Sequence, residues 1–467
     1  ARYVVEPKAV ISMSEVKSAK YDVAIVGAGP AGLQAAEILM KKGLKVIVLE
    51  SRDRVGGRTF STVSSQGSSV DLGAQWLAFS GQTRLEKLAD RFGWKKSENY
   101  DKGKSVVWNS DGKKKFVSYK SDGEPWWSAL DIGTTFLGLS NKAGGIKMDS
   151  PLSGYENFDE MSFLDYIKGK LWTKKAVDVM NTSLAKATCR DMDKVSVFAM
   201  LYLIKTIPSL EEFEKADWYY FEQGLGNLIQ KFSETMKDCI KLNRKVISVE
   251  HDKTSVTITT ESKEVYTADR AILALPPQLL PKINFSPPLP ENLQKSAEKQ
   301  VKGEVMKLVA EFKTPWWRSR GFNGRVISKS RFIGEMYDVS HSNCGVLGGF
   351  IHGKRAVEMA KTPVEELQKQ FDDFLVECFG EGGEKIKKLH YHNWIDDPDA
   401  LGAYMSTPAV GMYKHHPKGY FKVDGPVFFA GAEYTKQWYG YVEGALSSGE
   451  EKAEDVLKSL KKNGYEA

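Results

Sequence analysis

Cysteine is scarce: the 467 residues hold four, Cys189, Cys239, Cys344 and Cys378, spread far apart. No two have the short spacing of a zinc site or a dithiol redox motif, so reduced, buried thiols are expected. Long apolar runs are missing too. The longest candidate, Val197–Ile204, falls far short of the roughly 18 residues that span a bilayer, which excludes a membrane-spanning chain. Neither charge sign is in large excess: Lys and Arg number 66 against 60 Asp and Glu, a net +6. Spread over this length, that is not the clustered charge of a nucleic-acid binder, although it mildly favours anionic cofactors or surfaces. The opening ARYVVEPKAVISMSEVKSAK is charged throughout and lacks the apolar core of a signal peptide. The closing GEEKAEDVLKSLKKNGYEA reads as a charged helix without hydrophobic anchor or lipidation box. A soluble protein with no membrane anchor is expected, cytoplasmic in preference to secreted with its signal already removed. Internal repeats, low-complexity tracts and long linkers are absent as well. The runs KKK at 113–115 and KSLKK near the end read as solvated faces.

What is present is ordinary globular composition, 42% hydrophobic and 27% charged. At roughly 150 residues per domain, the length predicts two or three domains with a large core. From Tyr21 the chain runs YDVAIVGAGPAGLQAAEILMKKGLKVIVLESRDRVGGRT. Val23–Val26 is an apolar run of buried-strand length, and Gly27, Gly29 and Gly32 follow in G-x-G-x-x-G spacing, enclosing Pro30 and Ala31. Apolar positions then recur at helical intervals to a stop at Gly43, and a second strand, Lys45–Leu49, ends in Glu50. Glycine lets the backbone turn tightly and approach a pyrophosphate, whose charge meets the positive end of the helix. An acid at Glu50 suits ribose hydroxyls, so FAD or NAD is favoured over NADP. Beyond Glu50 come Ser51, Arg52, Arg54, Gly56, Gly57, Arg58 and Thr59, a compact group able to serve a second stretch of a long dinucleotide.

This run resembles the flavin-containing monoamine oxidase family, in which a strand-ending Glu precedes an R-x-G-G-R motif. The resemblance implies bound FAD, with Arg54, Gly57 and Arg58 near its pyrophosphate and flavin. It also implies an α/β fold in which a Rossmann-like FAD-binding domain is interwoven with an α+β substrate-binding domain. The expected FAD-domain pieces are 20–105, 217–290 and 395–455, and the substrate-domain pieces 106–216 and 291–394. Residues 1–19 are expected as an N-terminal extension and 456–467 as a tail. A second anchor lies in VFFAGAEYTKQWYGYVEGALSSGEEKAEDVL, a strand, a turn at Gly431 and Ala432, and a helical pattern from Gly440. By the resemblance Glu433 lies near the ribityl and pyrophosphate region. Gly440, Tyr441, Val442 and Glu443 form a turn over the flavin, Trp438 packs on its edge, and the backbone of Val246 meets adenine. Gly73, Ala74, Gln75 and Trp76, in VDLGAQW, pass near the flavin.

On alternation alone, Lys307 in KGEVMKLVAEF is an exposed lysine on a strand with one apolar and one mixed face. The resemblance makes it the lysine that holds a water against the flavin, and makes Tyr404 and Tyr441 an aromatic cage around a substrate amine. Animal members attach FAD through a cysteine at the place occupied here by Ala403, and none of the four cysteines is close to it, so this departure predicts FAD held noncovalently. L-amino acid oxidases carry an arginine shortly after the VDLGAQW turn; here Gln75 and Trp76 follow, and Arg84 reads as a surface residue on a helix. The implied reaction is oxidation of an amine to an imine, hydrolysed to aldehyde or ketone plus ammonia or amine, with oxygen reduced to hydrogen peroxide. Small-molecule amine and O2 are the implied partners, and a homodimer is left open. The rival readings are an L-amino acid, polyamine or cyclic-amine oxidase, a flavin dehydrogenase, or a catalytically silent FAD-binding module. The number of acids lining the tunnel is the feature that separates the polyamine reading. Segments Phe163–Leu171 and Val195–Ile204 are expected as helices that cover the site without chemistry of their own.

Overall fold

The computed structural model describes residues 20–462, apart from 79, 110–111, 120, 122–125, 210–211, 213–217, 329–330, 341–343 and 416–424. The expected extension 1–19 and residues 463–467 lie outside the described residues.

The apolar run after Tyr21 forms the strand Lys20–Val26, hydrogen-bonded in parallel to Val46–Leu49 on one side and Val265–Leu273 on the other. It is a central strand of an eight-stranded sheet that also includes Ile240–Lys241, Val256–Thr260, Val246–His251, Asn284–Ser286 and Val427–Phe429. Both faces of the parallel part are covered, which is why its strands read as unbroken apolar runs. Helices Pro30–Lys41 and Val442–Lys462 pack together on one face. Residues 456–462, expected as part of a tail, complete the second of these helices, with Val456 and Leu460 buried. Val246–His251, Val256–Thr260 and Val265–Leu273 pair in succession as an antiparallel meander.

A second sheet has the strand order Lys388–Asn393, Val305–Phe312, Gly345–His352, Glu335–Asp338, Phe322–Ser328, Lys104–Trp108, Lys114–Val117. One face carries Met306, Leu308, Ala310 and Met336, packed with helix Val364–Phe379. The other face of its central strands turns inward. All eight residues of Val305–Phe312 are buried, so the mixed face expected to meet water faces the protein interior instead. A helical layer, Trp126–Gly144, Phe163–Lys168, Lys174–Thr188 and Val197–Thr206, closes the molecule around Trp438 and Tyr439. Three of these helices start on side-chain caps: Ser162, Thr173 and Ser196 accept from Asp165 N, Ala176 N and Ala199 N. Each such cap stabilises its helix by about 1 kcal/mol. All four cysteines are free and buried, as their spacing predicts.

Candidate active site

Between the two sheets and the helical layer lies a cavity of about 460 Å³. Its first wall is the N-terminal turn. Gly27 has φ +103° and its amide donates to Leu49 O at 2.8 Å; a Cβ there would come within 2.6 Å of Ala274 O. Gly29 differs, because a Cβ on it would meet nothing within 4 Å. It is the N-cap of helix Pro30–Lys41, with Pro30 in the first turn, and both line the cavity together with Ala31. An open glycine at a helix N-terminus is a cradle for an anion. Gly32 does not line the cavity, since a Cβ there would sit 2.0 Å from Gly27 O; its smallness lets helix and turn close together.

Glu50 is buried at the end of its strand, accepting from Ala28 N at 2.8 Å through one oxygen and from Arg52 N at 3.0 Å through the other. Ser51, Arg52, Arg244, Val246 and Asp399 line the same end. Arg52 is held by Asp397 at 2.5 Å. Next along the cavity are Gly57, Arg58, Gly431 and Ala432. Arg58 forks onto Glu433, with nitrogen–oxygen distances of 2.5 and 2.8 Å, and donates to Tyr404 O at 2.8 Å. Burial opposes its charge, but Glu433 outweighs burial and raises its pKa. Glu433 itself stands behind Arg58 and does not line the cavity. Arg54 turns away, stacked on Phe60 at 4.1 Å and bonded to its own loop at Val55 O and Gly57 O.

At the other end stand Gly73, Ala74, Gln75, Trp76, Lys307, Tyr404, Tyr441 and Val442. Lys307 Nζ donates to Gly73 O at 3.0 Å and Gln75 Oε1 at 2.8 Å, and lies 4.8 Å from the Trp76 ring centroid and 5.3 Å from that of Phe350. Burial lowers its pKa to about 7 against the charge of Asp71, whose own pKa burial raises. Trp438 does not line the cavity. Its indole donates to Gly81 O at 2.9 Å, and its ring meets Tyr441 edge-on at 5.2 Å, so it buttresses that tyrosine. Glu443 also points elsewhere, accepting from Leu85 N and Arg84 N at the start of helix Thr83–Phe92, a carboxylate at a positive helix end. Arg84, expected as a surface residue, is half-buried between Glu443 and Glu450 and does not line the cavity.

Sequence reasoning missed Lys186, Glu335, Tyr337 and Phe350, which complete this end. Alternation could have offered Glu335 and Tyr337 as one face of a short strand, with Met336 in the core opposite. Only register shows that Lys307, Phe350 and Glu335 lie in one row across three strands. The expectation that no cysteine lies near Ala403 is corrected. Cys189 belongs to the same buried cluster, and its thiol hydrogen-bonds with Tyr404, although burial dominates and raises its pKa.

The family profile described as flavin containing amine oxidoreductase matches residues 30–457. The chain belongs to this family. It is an FAD-dependent amine oxidase. It is 28% identical to amine oxidase [flavin-containing] B of Sus scrofa over 95% of this chain and 88% of that protein. Identity to amine oxidase [flavin-containing] A of Canis lupus familiaris is 26%, over 96% and 87%. A solved putrescine oxidase, described as wild type bound to putrescine, superposes with a TM-score of 0.86 at 27% identity, covering 94% of this chain and 99% of that one. Cyclohexylamine oxidase from Brevibacterium oxydans IH-35A shares the fold, with a TM-score of 0.86 at 22% identity.

The cavity fits FAD: an open glycine cradle at a helix N-terminus, a buried acid at one end and the lysine and tyrosines at the other. Gly29→Ala tests the cradle. Fold stability should be unchanged, because the methyl meets nothing, while the FAD dissociation constant should rise by at least about tenfold, or ~1.4 kcal/mol. Thermal unfolding of the apoprotein and a fluorescence titration with FAD check the two halves.

Proposed function

We propose that this amine oxidase takes a small amine into the end of the cavity bounded by Tyr404, Tyr441 and Lys307, and releases an imine that water hydrolyses to aldehyde or ketone. The reading rests on one observation: these three side chains line one end of the cavity, and the lysine there is buried. The amine gives up two electrons and two protons. FAD, which Gly29, Glu50 and Arg58 would hold noncovalently, would supply the two-electron acceptor, with O2 as the final oxidant and hydrogen peroxide as its product. The two aromatic rings orient the nitrogen and shield it from bulk solvent, and Lys307 would hold a single water on the flavin side of the cavity. No strong base is needed if the bound amine is neutral. We read the two large sheets as the frames of two interwoven domains.

Glu335 favours a narrower substrate class. Of the carboxylates lining the cavity, Glu50 and Asp399 stand at the far end, near Arg52 and Lys245, and only Glu335 shares the strand row of Lys307. Two strand spacings put it about 9–10 Å from Lys307 across the sheet. An amine with a second cationic group, as putrescine has in the solved putrescine oxidase, would meet a carboxylate there. A peroxide-coupled screen of monoamines, diamines of increasing length, cyclic amines and L-amino acids, in air and anaerobically, tests both readings. Diamines should lead, and Glu335→Gln should lower their kcat/KM about 10- to 100-fold, the worth of a charge-assisted hydrogen bond, while sparing monoamines. Preference for L-amino acids would move the reading to Lys186 as a carboxylate partner. Bleaching without peroxide would make the protein a dehydrogenase.

A further inference from the structure

The helix Trp126–Gly144 is apolar on both sides. Its inner face, with Leu139 and Ala143 and the partly buried Ile132 and Phe136, packs into the cluster that holds Trp438 and Tyr439. Its outer face leaves Trp126, Trp127, Leu130 and Leu137 exposed, Trp126 at 77%. Trp172, 84% exposed, is tied alongside, since its backbone amide donates to Asp131 Oδ2 at 3.0 Å. From Trp126 to Asn141 the one charged residue is that Asp131, and it is buried. At 1.5 Å per residue this makes a strip about 24 Å long without an exposed charge. Scattered apolar residues on a surface are ordinary, but three tryptophans and two leucines grouped on one helix and its neighbour mark an interaction face.

The charges at its edge indicate what it meets. Lys170 and Lys174 flank Trp172 and are exposed, and Lys142 stands exposed in the last turn of the helix. Lys168 is paired with Asp165, at 3.8 Å. A second copy of the chain docked through a two-fold axis would set this patch against itself, lysine rim against lysine rim, with a net charge of +6 on each partner. An anionic lipid surface removes that conflict. Tryptophan partitions to the headgroup boundary, leucine to the acyl edge below it, and lysine to the phosphates.

We propose that the face formed by Trp126, Trp127, Leu130, Leu137 and Trp172 docks on an anionic lipid surface, the helix lying in the plane of the headgroups. This is peripheral attachment; among the described residues no helix is long and apolar enough to cross a membrane. It is independent of which amine is oxidised. The test is co-sedimentation of the holoenzyme with vesicles of phosphatidylcholine, alone and with phosphatidylserine added. Binding is expected with phosphatidylserine, weakening as salt rises. The variant Trp126→Ser/Trp172→Ser should lose at least about tenfold in partitioning, and Lys170→Glu/Lys174→Glu should lose the preference for phosphatidylserine. Both should keep the amine turnover of the parent in solution, since neither touches the cavity. No binding to the anionic vesicles overturns the proposal, as does binding that both variants retain. It is equally overturned if sedimentation velocity finds a dimer that the tryptophan variant dissolves while vesicles bind neither form.

Discussion

Lys307→Met is expected to lower turnover with the best amine by about 10²-fold or more, the usual scale for a positioned proton-handling group, while FAD stays bound. The side chain is 1% exposed, with Nζ fixed on Gly73 O and Gln75 Oε1. Burial brings its pKa down to about 7, the charge of Asp71 opposing. Above that pH the neutral amine has two hydrogens, both committed to these acceptors, and its lone pair is left to accept from a water. Below it, a third N–H replaces the lone pair, and the group becomes a donor. If the neutral form is the working one, turnover should rise with pH through about 7. The methionine variant should lose this inflection and keep only the ionisation of the substrate amine. Rapid-mixing measurements of flavin reduction and reoxidation, each against pH, separate the half-reactions. A variant with full turnover and an unchanged inflection would remove Lys307 from the mechanism. Stability gives a second readout. The unfolded lysine titrates near 10.5, so between there and the folded value of about 7 the unfolded chain binds more protons, and stability rises with pH. The penalty for burying the charge is therefore greatest below about 7, where the methionine variant should be most stabilised relative to the parent.

The N-terminal half of the site was legible because its information is local. Strand, glycine turn, helix and acid follow one another within thirty residues, and the helix that begins at Pro30 has its anion-binding end where the glycines place it. The lysine end was harder to read. Val305–Phe312 has one apolar and one mixed face, and such a strand can turn its mixed face to water or to a cavity. Alternation does not distinguish the two; only the cover supplied by Gly73, Gln75 and Trp76, more than two hundred residues earlier, does so. Phe350 and Glu335 meet Lys307 through register alone. Trp438 shows the opposite limit. An aromatic beside a cofactor turn can touch the cofactor or prop the residue that does, and the spacing Trp438–Tyr441 is the same in either case. The outer face of Trp126–Gly144 was hidden because a helix apolar on both sides reads as core.

Arg58→Met should have the largest effect on stability. Glu433 is fully buried, and both of its oxygens receive the Arg58 guanidinium. Taking the arginine away strands a carboxylate in the interior, at a cost of about 3–5 kcal/mol. It also removes the donor to Tyr404 O, so that tyrosine loses one of its anchors. The variant should unfold several degrees lower, hold FAD weakly and turn over poorly. Arg58→Lys should recover only part of this, because a single ammonium cannot occupy both oxygens and the Tyr404 carbonyl in the fork geometry. The double variant Arg58→Met/Glu433→Met separates the causes. With no charge left unpaired, stability should return toward that of the parent. FAD affinity and turnover should not return, since the guanidinium is still missing from the cavity wall. Thermal unfolding of apo and holo forms, with an FAD titration for each variant, measures all three. If the single variant is as stable as the parent, the buried pair does not hold this part of the fold; if the double variant regains turnover, Arg58 serves the fold alone and has no part in the site.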